Sequence, residues 1–148
     1  MPQFLGEYDC KMDTKGRMKM PVQLIKQLDG LEQEGFVINR GFEPCLVLYP
    51  KSVWQNITKE LNELNQYDPQ KRRFTRYFFR GATELNLDSA GRILIPRKLK
   101  GYAKMEKNLV VFAYLNKIEI WSADAYDDFI DQEPEDFSAL AKEVMAKE

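Results

Sequence analysis

Asp13-Thr14-Lys15-Gly16-Arg17-Met18-Lys19-Met20-Pro21 returns, 75 positions later, as Asp88-Ser89-Ala90-Gly91-Arg92-Ile93-Leu94-Ile95-Pro96. Asp, Gly, Arg and Pro recur at the same offsets, and a glycine stands seven residues before each Asp, at Gly6 and Gly81. Chance explains this poorly, and a repeated motif implies a repeated structural unit. The repetition continues downstream. Cys45-Leu46-Val47-Leu48-Tyr49-Pro50-Lys51-Ser52-Val53-Trp54 reads against Lys117-Ile118-Glu119-Ile120-Trp121-Ser122-Ala123-Asp124-Ala125-Tyr126 at an offset of 72. In both, a hydrophobic strand closes on an aromatic and opens a helix carrying a second aromatic.

The partition that follows is a first unit over 1–55, connecting helices over 56–80, a second unit over 81–130 and an acidic C-terminal helix or tail over 131–148. The fold class is mainly β with flanking helices, built from two tandem units related by pseudo-symmetry. A unit of roughly 50 residues buries too little surface to be comfortable alone. Packing of the units against each other, or oligomerisation, is therefore expected.

Within each unit the alternation of Phe4, Gly6, Tyr8, Cys10 and Met12 predicts a strand with one buried face. Asp13 and Gly16, and again Asp88 and Gly91, are turn-forming residues: Asp can accept backbone N–H groups and Gly can take a positive φ. Arg17 to Met20 resumes alternation, so the motif predicts a β-hairpin with a basic tip. In the second copy Leu94 replaces the outward Lys19, which suggests a covered flank. Pro21 suits the start of a helix carried on by Leu24, Ile25 and Leu28. Phe36–Asn39 with Leu46–Tyr49, and Leu109–Tyr114 with Lys117–Trp121, predict a further hairpin in each unit.

Ser52 and Gln55 have the spacing of a capping box ahead of a helix reaching about Gln66, and Ser122 opens the corresponding helix. Between Gln70 and Arg80 five basic residues, Lys71, Arg72, Arg73, Arg76 and Arg80, occur without an acid, beside Phe74, Tyr77 and Phe78. The aromatics fit a core stripe, as do Trp54 and Trp121 at their corners. The arginines suit either salt bridges or phosphate contacts.

The composition is that of a folded, water-soluble protein, with 44% hydrophobic and 30% charged residues. There is no apolar run of membrane-spanning length and no signal-peptide pattern, so a cytoplasmic location is expected. Two cysteines, Cys10 and Cys45, lack metal-ligand spacing and read as reduced thiols. The absence of histidine excludes Ser-His and Cys-His machinery and the commonest zinc sets. Carboxylates such as Asp127, Asp128, Glu133, Glu135 and Asp136 lack the spacing and glycine of a calcium loop. No Gly-rich phosphate loop or dinucleotide fingerprint is present, and no enzyme activity, metal, cofactor or small-molecule substrate is expected.

The net charge of −1 averages two unlike regions. From Glu119 onward ten acidic and two basic residues give −8, whereas the preceding 118 residues carry twenty basic and thirteen acidic, +7. A basic body with an acidic tail leaves nucleic acid open as a partner. In each turn the arginine could simply be solvated or paired with its Asp. An arginine at such a tip can also bond guanine bidentately or clamp phosphate, and a two-stranded ribbon fits the major groove.

Gly6-Glu7-Tyr8, the two Asp-x-x-Gly-Arg motifs with their prolines, and Ile118-Glu119-Ile120-Trp121 together resemble the MraZ family of bacterial proteins over nearly the whole chain. The basic Arg72-Arg73-x-x-Arg76 helix is similar too. The resemblance implies AbrB-like, swapped-hairpin units, closed homo-oligomeric rings, and a nucleoid-associated transcriptional regulator. It further implies binding to short direct repeats in double-stranded promoter DNA, generally repressing the division and cell-wall gene cluster. The DNA-contacting loops of the family carry over to Lys15, Arg17 and Arg92, with Ala90 leaving the second turn one basic residue short. The expected interface is completed by Lys19, Arg72, Arg73 and Arg76. The rival expectation is an oligomeric, antitoxin-like interaction scaffold that does not bind DNA.

Overall fold

The computed structural model describes residues 2–130, 132 and 134–146. Asp131, Glu133, Lys147 and Glu148 of the acidic tail lie outside the described residues. In chain order the first half contains β1 (Phe4–Lys11), β2 (Arg17–Lys19), α1 (Val22–Leu28), β3 (Phe36–Arg40), β4 (Leu46–Pro50), α2 (Lys51–Asn62) and α3 (Pro69–Phe79). The second contains β5 (Thr83–Leu85), β6 (Arg92–Leu94), α4 (Arg97–Tyr102), β7 (Asn108–Leu115), β8 (Lys117–Ser122), α5 (Ala123–Ile130) and α6 (Phe137–Met145). The architecture is mainly sheet with flanking helices.

The two repeats interlock strand by strand. Six strands form one antiparallel sheet in the order β1-β7-β8-β4-β3-β5, and β2 pairs with β6 in a separate ribbon. Reading that order from either end meets equivalent strands of the two halves. At the centre Val47 pairs with Glu119, and in the ribbon Met18 pairs with Ile93. These are partners at the sequence offsets of 72 and 75, each paired with its own counterpart. A ladder that joins equivalent residues marks a two-fold axis, here a pseudo-axis within one chain.

This pairing corrects the simple hairpin reading of the motif. β1 and β2 meet only at the Met12–Met18 bridge; β1 instead runs along β7, from Phe4 opposite Leu115 to Lys11 opposite Asn108. Backbone ladders carry no preference for sequence neighbours, and in the exchanged arrangement Met18, Met20, Ile93 and Ile95 are all buried on the inner side of the ribbon. Met18, Met20, Leu24 and Leu28 are buried together with their counterparts Ile93, Ile95, Leu99 and Ala103. Fully burying one such larger side chain contributes roughly 1.5–3 kcal/mol. The two repeats therefore share one core, completed by Phe36, Ile38, Leu46, Leu48, Val111, Ile118 and Ile120.

A smaller cluster of Cys45, Val110, Trp121 and Tyr126 lies elsewhere on the sheet, with Ala123 and Ala125 of α5 against it. There the buried Glu119 accepts from Trp121 Nε1 at 3.0 Å and Tyr114 Oη at 2.8 Å, and Tyr126 Oη donates to Glu7 at 2.8 Å. The outer edge of β1 is partly covered, because Leu5 N donates to Gln27 Oε1 and Gln27 Nε2 to Leu5 O, both at 2.9 Å. Such covering blunts the edge-strand template for unwanted pairing. Cys10 and Cys45 are free thiols. Burial, then Asp9, raises Cys10 to about 11.

The helical connections differ from expectation in three places. Ser52 does not cap α2, which begins at Lys51 behind Pro50 without a side-chain cap and ends at Asn62. Trp121 is buried, but Trp54 is half-buried, stacking on Phe78 at 5.7 Å. Phe74 and Tyr77 are exposed rather than part of the core. The reason is that α3 is anchored by its backbone: Asn39 Nδ2 donates to Phe78 O and Arg40 to Tyr77 O and Arg80 O. Phe78 of the stripe turns in to Trp54, while Phe74 stacks on Phe78 and Tyr77 lies under the Arg40 guanidinium, both at the surface.

Candidate nucleic-acid interface

Each motif builds the same turn. In the first, Gly16 N donates to Asp13 O at 3.0 Å and Asp13 N to Arg17 O at 2.8 Å. Asp13 Oδ1 accepts from Lys15 N and Arg17 N, both at 2.9 Å. In the second, Asp88 Oδ1 accepts from Ala90 N and Arg92 N, again at 2.9 Å. Gly16 and Gly91 take φ values of 84° and 75°, which a side chain would strain. The backbone of the turn is thus dictated by Asp and Gly.

The arginine belongs to the same chemistry. Arg17 Nε donates to Asp13 Oδ2 at 2.9 Å, and Arg92 Nε to Asp88 Oδ2 at 2.8 Å. One carboxylate therefore organises the loop with one oxygen and aims a guanidinium with the other. Asp13 and Asp88 are both shifted below the usual carboxylate range, chiefly by the backbone N–H of Arg17 and Arg92 respectively, against a smaller opposing desolvation. Among the described residues nothing bonds the Nη groups of either arginine, and each side chain remains about a third exposed (32% and 33%).

The ribbon brings the two turns side by side. Met20 N donates to Gly91 O and Ile95 N to Gly16 O, both at 2.9 Å, so each turn is stitched to the strand leaving the other. Arg17 stands opposite Leu94, and Lys19 opposite Arg92. Met18 and Ile93 point into the core, so strand alternation puts Arg17, Lys19, Arg92 and Leu94 on the outer face. Lys15 is exposed at the first turn, and Leu94 is exposed too, without the covering expected of it. Lys15, Arg17, Lys19 and Arg92 thus share one continuous surface.

Arg72, Arg73 and Arg76 belong to another place. Their helix is tied to the Arg40 end of β3, whereas the second turn is reached from the opposite end of β5, where Leu85 pairs with Phe36. Arg72 is occupied in closing the α2–α3 connection, its Nη1 donating to Gln66 O and Tyr67 O at 3.1 and 3.2 Å. Arg73 and Arg76 are exposed.

A residue not singled out from the sequence also reaches the first turn. Lys100 of α4 lies over Gly16, so close that a Cβ there would meet its Nζ at 2.9 Å. The signal was present as a run of Arg97, Lys98, Lys100 and Lys104 just after the second motif.

Among the described residues no group of three or more Cys, Asp or Glu is placed to hold a metal ion, and no helix is long and apolar enough to cross a membrane. The arrangement suits electrostatic and hydrogen-bonding recognition of an anionic polymer.

The chain matches one family model twice, over residues 3–77 and 78–147, under the description "MraZ protein, putative antitoxin-like". It is 41% identical over 143 residues to the transcriptional regulator MraZ of Cytophaga hutchinsonii, covering 97% of this chain and 95% of the relative. Proteins of the same name from Christiangramia forsetii and Flavobacterium psychrophilum are 40% and 42% identical, over 100% and 98% of this chain and 96% and 93% of the relatives.

Proposed function

The chain belongs to the MraZ family, and from that membership we propose that it is a DNA-binding transcriptional regulator which reads promoter direct repeats through its paired Asp-x-x-Gly-Arg turns. In this reading it acts as a repressor of the division and cell-wall gene cluster, on the nucleoid in the cytoplasm, and is not an enzyme. The observation that carries the proposal is the β2–β6 pairing, which sets Arg17, Lys19 and Arg92 on one exposed face. A two-stranded ribbon has the dimensions of the major groove.

Base contacts come from the Nη groups of Arg17 and Arg92, whose orientation is set by Asp13 and Asp88. A planar fork fixed at Nε reaches a guanine edge bidentately at little entropic cost. Lys15 and Lys19 supply phosphate contacts, and Arg73 and Arg76 do so only for DNA that extends to α3. One ribbon offers few contacts, so affinity comes from several subunits on repeated sites through effective concentration.

Assembly into a homo-oligomeric ring is part of the same proposal. Exposed apolar groups gather on two unlike surfaces: Phe42, Phe74 and Tyr77 around the basic α3, and Phe137, Leu140 and Val144 on α6 in the acidic C-terminal region. Contact between unlike patches is head-to-tail, which propagates and closes into a ring when the rotation allows.

The test is an anisotropy titration against duplex from upstream of the protein's own gene and against a scrambled duplex, at several salt concentrations. Preference for the native duplex that vanishes in Arg17→Ala with Arg92→Ala supports the reading. Binding to neither duplex by the assembled wild type defeats it and favours the interaction scaffold.

A further inference from the structure

Resting on the DNA-binding reading, we infer that α4 is a second phosphate-binding element for duplex DNA, serving the turn of the first repeat rather than that of its own.

The pseudo-symmetry supplies an internal control. Residues 97–104 are the counterparts of 22–29 at the offset of 75. The buried anchors are preserved in kind, Leu99 and Ala103 answering Leu24 and Leu28. The outer positions are not. Arg97, Lys98, Lys100 and Lys104 stand where the first repeat has Val22, Gln23, Ile25 and Asp29, so the segment carries +4 where its counterpart, with Lys26 and Asp29, carries 0. Since α1 folds into the same place without these cations, folding does not require them.

Position 104 sharpens the point. Asp29 and Lys104 share the left-handed backbone that ends each helix, both at φ 52°. The same conformation is thus retained while its charge is reversed. Among the described residues, none of the four cations of 97–104 is held in an ion pair; the three pairs present are Arg17–Asp13, Lys51–Glu84 and Arg92–Asp88. Four like charges on one short segment repel one another, and an external polyanion relieves that repulsion.

The geometry directs these charges to the first turn. Lys100 Nζ lies against Gly16, between Lys15 and Arg17 in the motif, while the equivalent neighbour at Gly91 is a methyl, Ile25 Cδ1, which an added Cβ would meet at 3.5 Å. Beside Lys100 is an open cleft of about 450 Å³ lined by Met12, Arg97, Lys100, Lys104, Met105 and Glu106. Its three cations face one carboxylate. Arg97 and Lys104 are exposed on its rim. The two turns therefore have unlike surroundings: the first is flanked by a cationic cleft and has Leu94 opposite its Arg17, whereas the second has Ile25 against Gly91 and Lys19 opposite its Arg92.

The experiment uses the full-length protein and the native and scrambled duplexes, comparing wild type with Arg97→Gln/Lys104→Gln, with the triple variant adding Lys100→Gln, and with Lys26→Gln on α1. Each phosphate contact removed lowers the log–log salt slope by about 0.9. The double variant is expected to lose about 1.8 and the triple about 2.7, with both duplexes weakened alike and Lys26→Gln unchanged. The double variant leaves the Lys100–Gly16 packing intact, so its reading stands even where the triple fails to fold. A double variant with wild-type slope and affinity overturns the role of α4 while leaving the turns' DNA binding in place. Wild-type protein that binds neither duplex overturns the DNA reading itself, and this inference with it.

Discussion

Met18 and Ile93 occupy the same position in the two repeats, are both fully buried, and pair with each other across the β2–β6 ribbon. The pseudo-two-fold axis passes between them. Everything on the outer face of the ribbon inherits its placement from this contact, because Arg17, Lys19 and Arg92 flank it in register.

Truncating either partner should therefore loosen the whole molecule rather than one half. Met18→Ala or Ile93→Ala is expected to cost about 2–5 kcal/mol, the range for removing a large buried aliphatic side chain. The two together should depart from additivity, since they touch. Urea denaturation of the single and double variants measures both, and additive, sub-kilocalorie effects would contradict a shared core.

Arg17→Lys with Arg92→Lys separates charge from shape. Lysine keeps the charge but has no Nε fork to be aimed by Asp13 or Asp88. The expected result is nearly the wild-type salt slope with preference for the native duplex reduced at least about tenfold, consistent with loss of a bidentate base contact of roughly 1–3 kcal/mol. Retained preference would mean that the arginines do not read bases.

The acid limb of stability should report the turn carboxylates. Asp13 and Asp88 are shifted down in the folded protein, so they bind a proton less readily there than in the unfolded chain. Their contribution is present above the unfolded-state pKa of about 3.9 and is lost as pH falls through the lower folded-state value. Carboxyl chemical shifts of these two residues followed by NMR between about pH 5 and 2 should give midpoints below the model-peptide range. Midpoints at or above it would contradict the hydrogen bonding described.

Leu140→Asp with Val144→Asp places charges on the exposed apolar face of α6. Light scattering should report a smaller particle than wild type, with the circular dichroism of the subunit unchanged, and DNA binding should weaken through lost multivalency. An unchanged particle mass would remove α6 from the assembly interface.

Much of this protein was legible in its sequence. The turn needs Asp for its two backbone donors and Gly for a positive φ, so Asp13–Gly16 and Asp88–Gly91 announce themselves, and the alternation after them identifies which side chains face outward. Apolar spacing pointed to α1 and α2, though it carried α2 to about Gln66 rather than Asn62 and did not single out α4. The role of Asp in holding its arginine was not separable from solvation, because a spacing of four residues brings the groups near without fixing which nitrogen is used.

What only the tertiary structure decided is which strands pair and what the helices leave uncovered. An Asp-x-x-Gly-Arg turn has the same local hydrogen bonds whether its strands close on each other or on the other repeat, and backbone ladders are blind to separation in sequence. The choice of β1 with β7 and β2 with β6 was made by the joint burial of Met18, Met20, Leu24 and Leu28 with Ile93, Ile95, Leu99 and Ala103. The same exchange put Lys100 against Gly16, 84 residues away, and the anchoring of α3 through its backbone left Phe74 and Tyr77 exposed. Periodicity tells that a face is apolar; only the packed chain tells whether its own core covers that face or leaves it for a partner.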